Sequence, residues 1–287
     1  MTKWMIEKAG RALVYGFLLV LAGVICFPVA VAVTGVFMQQ WELEEYLRPV
    51  LGGTDGLASW ALLPRAPTLE SLVALLLDSP QFFVMFWNSL KLSGSILIGQ
   101  LVFGVPTAWG LARFAFPGKR AVLMPYIVLM LMPFQVLMLP EYLVLNTLGL
   151  LDTHAAVILP AVFSTFPVFI MYRFFCGIPE AILEAARIDG AGNVQIFVRI
   201  GIPLGSAGIV SSGILGFLES WNMIEQPMTF LKTKSLWPLS LFLPEIGLEE
   251  SGMGFAAAIM MLVPALLLFL SGQEYLEQGI AAAALKE

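Results

Sequence analysis

The sequence predicts an all-α protein that crosses a membrane six times, with both termini in the cytoplasm. Three observations predict it. Of its 287 residues, 59% are hydrophobic and 12% charged, where soluble domains are nearer half apolar and about a quarter charged. Mean hydropathy is +0.88. Apolar runs recur along the whole chain, each close to the roughly 20 residues that a helix needs to cross a bilayer. The single histidine, His154, disfavours a histidine metal site, and Cys26 and Cys176 lie in apolar runs as packing residues, without a disulfide framework.

Span one is expected over 12–38. Lys3, Lys8 and Arg11 precede it and Ala30-Val31-Ala32 resembles a cleavage site, but the apolar run exceeds the 7–15 residues usual in a signal peptide. It is read as an uncleaved span. Residues 39–82 are polar and broken by Gly52-Gly53, Pro49, Pro64, Pro67 and Pro80, which predicts an extracytoplasmic loop with short helices. Span two, 84–112, carries Asn88, Lys91 and Gln100, and its Gly104, Ala108 and Ala112 share a face on which another helix could approach closely. Pro117-Gly118 breaks the basic turn that follows. Span three is placed at 121–140 and a short loop at Glu141 to Thr153. Span four is placed at 155–174, bent at Pro160 and Pro167. Span five is placed at 204–225, with Gly208, Ser212 and Gly216 as a second close-packing face, and span six at 253–272 after a loop. No internal repeat is visible, so one membrane domain over 1–287 is the simplest organisation.

The basic residues fall on two sides. With the N-terminus in the cytoplasm, that side also receives Arg113, Lys119, Arg120, Arg173, Arg187, Arg199 and Lys286, whereas the other holds Arg48, Arg65, Lys232 and Lys234, with Lys91 at the outer end of span two. The bias follows the positive-inside rule. It puts residues 178–203, a polar segment between spans four and five, in the cytoplasm.

That segment reads as two short helices. Pro179 suits a first helical residue, where a missing N–H costs nothing, and Glu180 and Glu184 complement the positive end of the helix dipole. Gly190 suits a left-handed stop. Asn193 is expected to cap a second helix, Val194 to Ile200, whose Ile196, Phe197 and Ile200 make an apolar face, and Pro203 to close it. A helix resting on lipid would carry Lys and Arg on its polar face. Here Glu180, Glu184, Arg187, Asp189 and Arg199 are acidic on balance, which favours docking into a protein groove.

Glu184-Ala185-Ala186, three residues, Gly190, nine residues, then Ile200-Gly201-Ile202-Pro203 resembles the EAA motif of the membrane permease subunits of binding-protein-dependent ABC importers. Glu-Ala-Ala-Arg-Ile-Asp-Gly-Ala is similar to the carbohydrate-uptake branch, whose best-known members are maltose-type permeases. The one departure is Ile202, where that family usually has Leu. Trp87-Asn88-Ser89-Leu90, Ser220-Trp221-Asn222 and Trp237-Pro238-Leu239 resemble further features of the branch, so the resemblance covers about 84–272; residues 39–82 look like an insertion. It implies the type I importer permease fold. It also implies that Glu184, Ala185, Ala186, Asp189, Gly190, Ala191, Phe197, Ile200 and Pro203 form a coupling element seated in a cytoplasmic ATPase subunit, with Glu184 against a basic residue there. The implied partners are a second related permease in a heterodimer, an ATPase dimer, and an extracellular or periplasmic substrate-binding protein that largely selects the carbohydrate. No nucleic acid is implied. The chain has no Gly-x-x-x-x-Gly-Lys-[Ser/Thr] loop, so it is expected to be no enzyme and to bind no cofactor, with ATP and Mg used by the partner ATPase in a bacterial or archaeal cytoplasmic membrane.

Polar groups inside spans are costly and are functional candidates. Glu219, Trp221 and Asn222, then Asn88 and Gln135, are the candidates for a sugar path; the competing role is hydrogen bonding between spans. Glu249-Glu250 reads as a solvated loop or a contact for the binding protein. Two other functions compete: the same architecture importing a polyamine or phosphodiester, and an ion-driven secondary transporter. The latter often shows inverted repeats and leaves the acidic insert unexplained.

Overall fold

A computed structural model describes residues 2–51, 60–61, 63–243 and 247–284. Gly52, Gly53 and Asp55 of the expected outer loop, Pro244 and Glu245 of the later loop, and Lys286 lie outside the described residues. In chain order the principal helices are α1 (Thr2–Val36), α2 (Gln40–Leu51), α3 (Pro80–Arg113), α4 (Lys119–Leu131), α5 (Phe134–Thr147), α6 (His154–Gly177), α7 (Glu180–Ile188), α8 (Asn193–Leu204), α9 (Ser206–Trp221), α10 (Glu225–Phe230) and α11 (Ser251–Ala284). Among the described residues there is no strand. Four helices are long and apolar enough to cross a membrane, and the count reaches six if α4 with α5 and α8 with α9 each make one bent span.

Prolines account for most departures from straight helices. Helix α3 widens into a π turn over Gln100–Gly104, and α8 does so over Phe197–Gly201. Each π turn ends two residues before a proline, Pro106 or Pro203. A proline lacks the N–H that its fourth preceding carbonyl would accept, and its ring crowds that carbonyl; a wider turn relieves both. Span three, expected as one run over 121–140, instead breaks into α4 and α5, which meet at 109°. Pro133 forces this: Met132 before it is extended, at φ −75° and ψ 129°, as residues before proline tend to be. The expected loop beginning at Glu141 is correspondingly shorter, because α5 runs on to Thr147. Helix α6 breaks between Val162 and Thr165, just before Pro167. Span five, expected from 204, starts after a 69° bend between α8 and α9, so Pro203 sits inside α8 and the break falls at Gly205.

The described residues form two compact units. The first comprises Met1–Phe82 with Leu243–Leu262, and the second Phe83–Phe242 with Val263–Glu287; α11 divides between them one residue before Pro264. In the first unit, Met38, Leu43 and Tyr46 are buried, with Trp60 and Phe255 against them. The Trp60 ring lies 5.9 Å from Tyr46 and 5.6 Å from Phe255. The described residues of this segment thus pack around α2. Glu42, fully buried, accepts the Arg65 backbone N–H at 3.0 Å, and Arg65 pairs with Glu45 at 2.9 Å.

In the second unit, the small residues of α3 and α9 are where backbones approach. A side chain at Gly104 would meet Met171 of α6 at 2.9 Å, and Ala108 is fully buried. Gly208 faces Phe174, Ser212 Oγ donates to the Pro167 carbonyl at 3.1 Å, and Gly216 faces the Gln100 amide. Among the described residues a core joins α3, α6, α7 and α8 through Trp109, Met171, Phe175, Leu183 and Ile196, which fixes the polar segment to two spans.

Candidate functional site

Helix α7 ends in a Schellman motif. Asp189 is the C-cap, Gly190 is left-handed at φ +83°, Gly190 N–H donates to the Arg187 carbonyl at 3.1 Å, and Ala191 N–H donates to the Ala186 carbonyl at 2.9 Å. This is the 5→2 and 6→1 pattern that closes a helix and turns the chain outward. The hydrophobic contact that accompanies it is present, since Ala186 and Ala191 both pack on the Trp109 core. At the other end Pro179 is the N-cap, extended at ψ 132°, and Glu180 is the first helical residue. Asn193 likewise begins α8, with Gly192 as its cap: Gly192 N–H donates to Gln195 Oε1 at 3.0 Å.

The two faces of the element differ. Leu183 is fully buried, and Ala186, Ala191, Ile196, Phe197 and Ile200 pack behind it. Burying a leucine this completely stabilises by roughly 1.5–3 kcal/mol. Glu184, Ala185, Arg187, Asp189 and Gly190 are exposed on the other face. So are three aliphatic side chains, Ile182, Ile188 and Val194, and Ile188 is 86% exposed. An acidic rim around exposed aliphatic groups is the composition of a docking face. Of the expected coupling residues, therefore, Glu184, Ala185, Asp189 and Gly190 present to solvent, whereas Ala186, Ala191, Phe197 and Ile200 anchor. Pro203 is exposed two residues beyond the π turn of α8.

A residue that sequence reasoning counted only as basic holds the element in place. Arg113, the last residue of α3, has a side chain only 10% exposed and pairs with Glu180 at 3.1 Å. Its Nη2 donates to the carbonyls of Phe175 and Ile178 at the end of α6. Its Nε is buried without an acceptor among the described residues. Glu180 also pairs with Arg187 at 2.9 Å. One turn before Arg113, the Trp109 ring packs edge-on against Phe175 at 5.3 Å and tilted against Phe197 at 5.6 Å. It also fills the notch at Gly201, where a side chain would meet it at 2.6 Å. No local spacing marks Arg113, because its partners lie more than 60 residues away.

The residues expected along a sugar path do not gather in one place. Trp221 is 1% exposed, stacked on Phe217 at 5.5 Å and edge-on to Phe86 at 6.0 Å, so its ring faces are taken up within the chain. Asn88 is buried and donates to the carbonyls of Ser235 and Trp237 at 2.7 and 3.1 Å; beside it Ser89 Oγ accepts Leu239 N–H at 2.8 Å. Both tie α3 to the loop after α10. Asn222 is exposed and donates to the Leu218 carbonyl at 2.8 Å. Gln135 donates to both Glu225 oxygens at 2.7 and 2.8 Å, joining α5 to α10. Glu219 is exposed on α9. Sequence reasoning left out Glu141, which lies inside α5 with Oε2 buried and unpartnered among the described residues. Among those residues no group of His, Cys, Asp and Glu could hold a metal ion.

Comparison with known proteins is consistent with this arrangement. Residues 100–282, more than half of the chain, match the family model described as the binding-protein-dependent transport system inner membrane component. The chain is 29% identical over 227 residues to the arabinooligosaccharides transport system permease protein AraQ of Halalkalibacterium halodurans, covering 78% of this chain and 81% of that protein. It is 30% identical over 191 residues to the diacetylchitobiose uptake system permease protein NgcG of Streptomyces coelicolor, covering 64% and 63%. It is 25% identical over 286 residues to the sn-glycerol-3-phosphate transport system permease protein UgpE of Salmonella typhimurium, covering 96% and 98%. A bacterial ABC transporter involved in the import of the acidic polysaccharide alginate shares the fold, with a TM-score of 0.80 at 19% identity over 94% of this chain and 97% of that one. With an all-α importer permease fold and four to six candidate spans among the described residues, the chain belongs to the family of binding-protein-dependent transport system inner membrane components.

Proposed function

We propose that this permease is one half of the membrane pair of an ATP-driven importer, that it carries a sugar or oligosaccharide inward by alternating access, and that its α7 turn receives the motion of a separate ATPase. The observation that carries this reading is the two-sided construction of α7. Leu183 and the Schellman turn fasten one face to the spans, and the other offers Glu184, Ala185, Ile188 and Asp189 to a partner. The residues 178–203, both termini and the basic turn at Arg113 to Arg120 then lie in the cytoplasm of a bacterium or archaeon, and residues 39–82 lie outside. ATP and Mg belong to the ATPase dimer, and a substrate-binding protein delivers the solute. A solved alginate ABC transporter carries such a periplasmic protein loaded with pentasaccharide, and AraQ and NgcG are named for oligosaccharide systems.

Within the chain, Glu219, Asn222 and the Gln135–Glu225 pair are exposed and could meet hydroxyls, whereas Asn88 and Trp221 are buried. UgpE, named for a glycerol phosphate system, supports a second reading in which a phosphorylated solute is carried by the same architecture. Uptake in proteoliposomes containing the complete importer, measured against neutral oligosaccharides, acidic oligosaccharides and a glycerol phosphate, tests both. ATP-dependent accumulation of an oligosaccharide supports the first reading, accumulation of the phosphate ester alone the second, and ion-driven uptake without ATP removes both.

A further inference from the structure

Resting on the importer reading above, we infer that Trp109 and Arg113 form a pin that makes α7 and α8 move with α3 and α6, and that Arg113 is the positioning residue on which coupling depends. The two side chains are one turn apart on α3, and the guanidinium carbon lies 5.8 Å from the Trp109 ring, close enough for a cation–π contact. Between them they touch each part of the cytoplasmic element. Arg113 binds the Phe175 and Ile178 carbonyls that end α6 and the Glu180 carboxylate that begins α7. Trp109 packs on Phe175 of α6 and on Phe197 of α8, and seats against Gly201.

The chemistry of this contact requires arginine. The carbonyls at a helix C-terminus lack intrahelical partners and carry partial negative charge. A planar guanidinium can donate to two of them and still reach a carboxylate, because its N–H groups point in fixed, divergent directions. A lysine ammonium keeps the charge and loses the fork. Because Glu180 is held by Arg113 on the core side and Arg187 on the exposed side, a push on α7 is passed through Glu180 to Arg113 and on to the ends of α3 and α6. Without the fork, α7 still rests on Leu183 but can tilt against α3, and the ATPase turns over without moving the spans.

The test is the number of substrate molecules transported per ATP hydrolysed, measured in proteoliposomes with the complete importer, for wild type, Arg113→Ala and Arg113→Lys. Assembly is scored by co-purification of the ATPase. The expected result for Arg113→Lys is an assembled complex that hydrolyses ATP but transports on the order of tenfold less per ATP, within the range of coupling between sites; Arg113→Ala is expected to lose at least as much in whatever fraction assembles. A purely packing role lowers the amount of complex and leaves the ratio in the assembled fraction unchanged. A wild-type ratio in Arg113→Lys overturns the inference while leaving the importer reading intact, whereas wild-type complex without ATP-driven uptake overturns the importer reading itself.

Discussion

Arg113 Nη1 lies 3.1 Å from Glu180 Oε2, joining the last residue of α3 to the first residue of α7. The pair is half inside: the arginine side chain is 10% exposed and the glutamate 50%. Exposed ion pairs contribute about 0–1 kcal/mol, so the pair does more to orient α7 than to hold it. Its strength lies on the arginine side, where two helix-end carbonyls share the same guanidinium.

The anchoring and docking faces of α7 are expected to separate by mutation. Leu183→Ala leaves a cavity in the Trp109 core and costs about 2–5 kcal/mol, read as a lower unfolding temperature of the purified chain. Ile188→Ser removes an apolar group that is already in solvent, so the unfolding temperature stays within a degree or two of wild type while ATPase co-purification falls. A loss of stability in Ile188→Ser would place that side chain in the core instead.

Gly190 is expected to be required for its backbone, not for space. Nothing lies within 4 Å of a side chain placed there, but φ is +83°. Gly190→Val costs about 1–2 kcal/mol from left-handed geometry alone, and branching at Cβ adds to it. Gly190→Asn, which tolerates that region, retains more uptake than Gly190→Val at equal membrane abundance. Equal uptake in the two variants would show that the turn conformation is dispensable.

Asn88 separates a structural from a substrate role. Its amide donates to the Ser235 and Trp237 carbonyls, and a buried acceptor left unpaired costs about 1–3 kcal/mol. Asn88→Asp is therefore expected to lower thermal stability and abundance and to leave KM for uptake unchanged. Glu219→Gln is expected to do the reverse, shifting KM without a change in unfolding temperature. Exchange of these two outcomes would reverse the assignments.

Asp152 introduces a pH dependence at one turn. Its carboxylate accepts Thr233 Oγ1 at 2.6 Å and the N–H groups of Lys232 and Thr233 at 2.8 Å each. These bonds, the Thr233 side chain first, hold its pKa below the ordinary carboxylate value. A depressed folded pKa means that the stabilisation is complete above the unfolded value of about 3.9 and is lost as pH falls through the folded one. Limited proteolysis after Lys232 is expected to accelerate below about pH 4 in wild type, and Asp152→Asn is expected to flatten that profile. An unchanged profile in the variant would assign the acid sensitivity to another group.

The apolar runs and the α7 turn were legible in the sequence because each depends on local rules: length against bilayer thickness, and glycine where φ is positive. Gly190 could be placed as the left-handed stop of α7. The bend at Met132–Pro133 was hidden inside a continuous apolar run, although proline carried the signal; the π turns before Pro106 and Pro203 were hidden in the same way. Arg113 was legible only as one more positive charge, since its partners come from α6 and α7 and no pattern in α3 announces them. Trp221 was misleading for the opposite reason. A tryptophan beside Glu219 and Asn222 reads as a ring for sugars, yet its faces are taken by Phe217 and Phe86.

The importer reading has the exposed face of α7 receive work done by another subunit. Its most direct test is ATP-driven oligosaccharide uptake into proteoliposomes by the complete importer carrying Glu184→Lys, at an exposed position. The variant chain is expected to insert and to unfold at the wild-type temperature, and uptake is expected to fall to the level seen without ATP. Wild-type uptake by Glu184→Lys would contradict that reading.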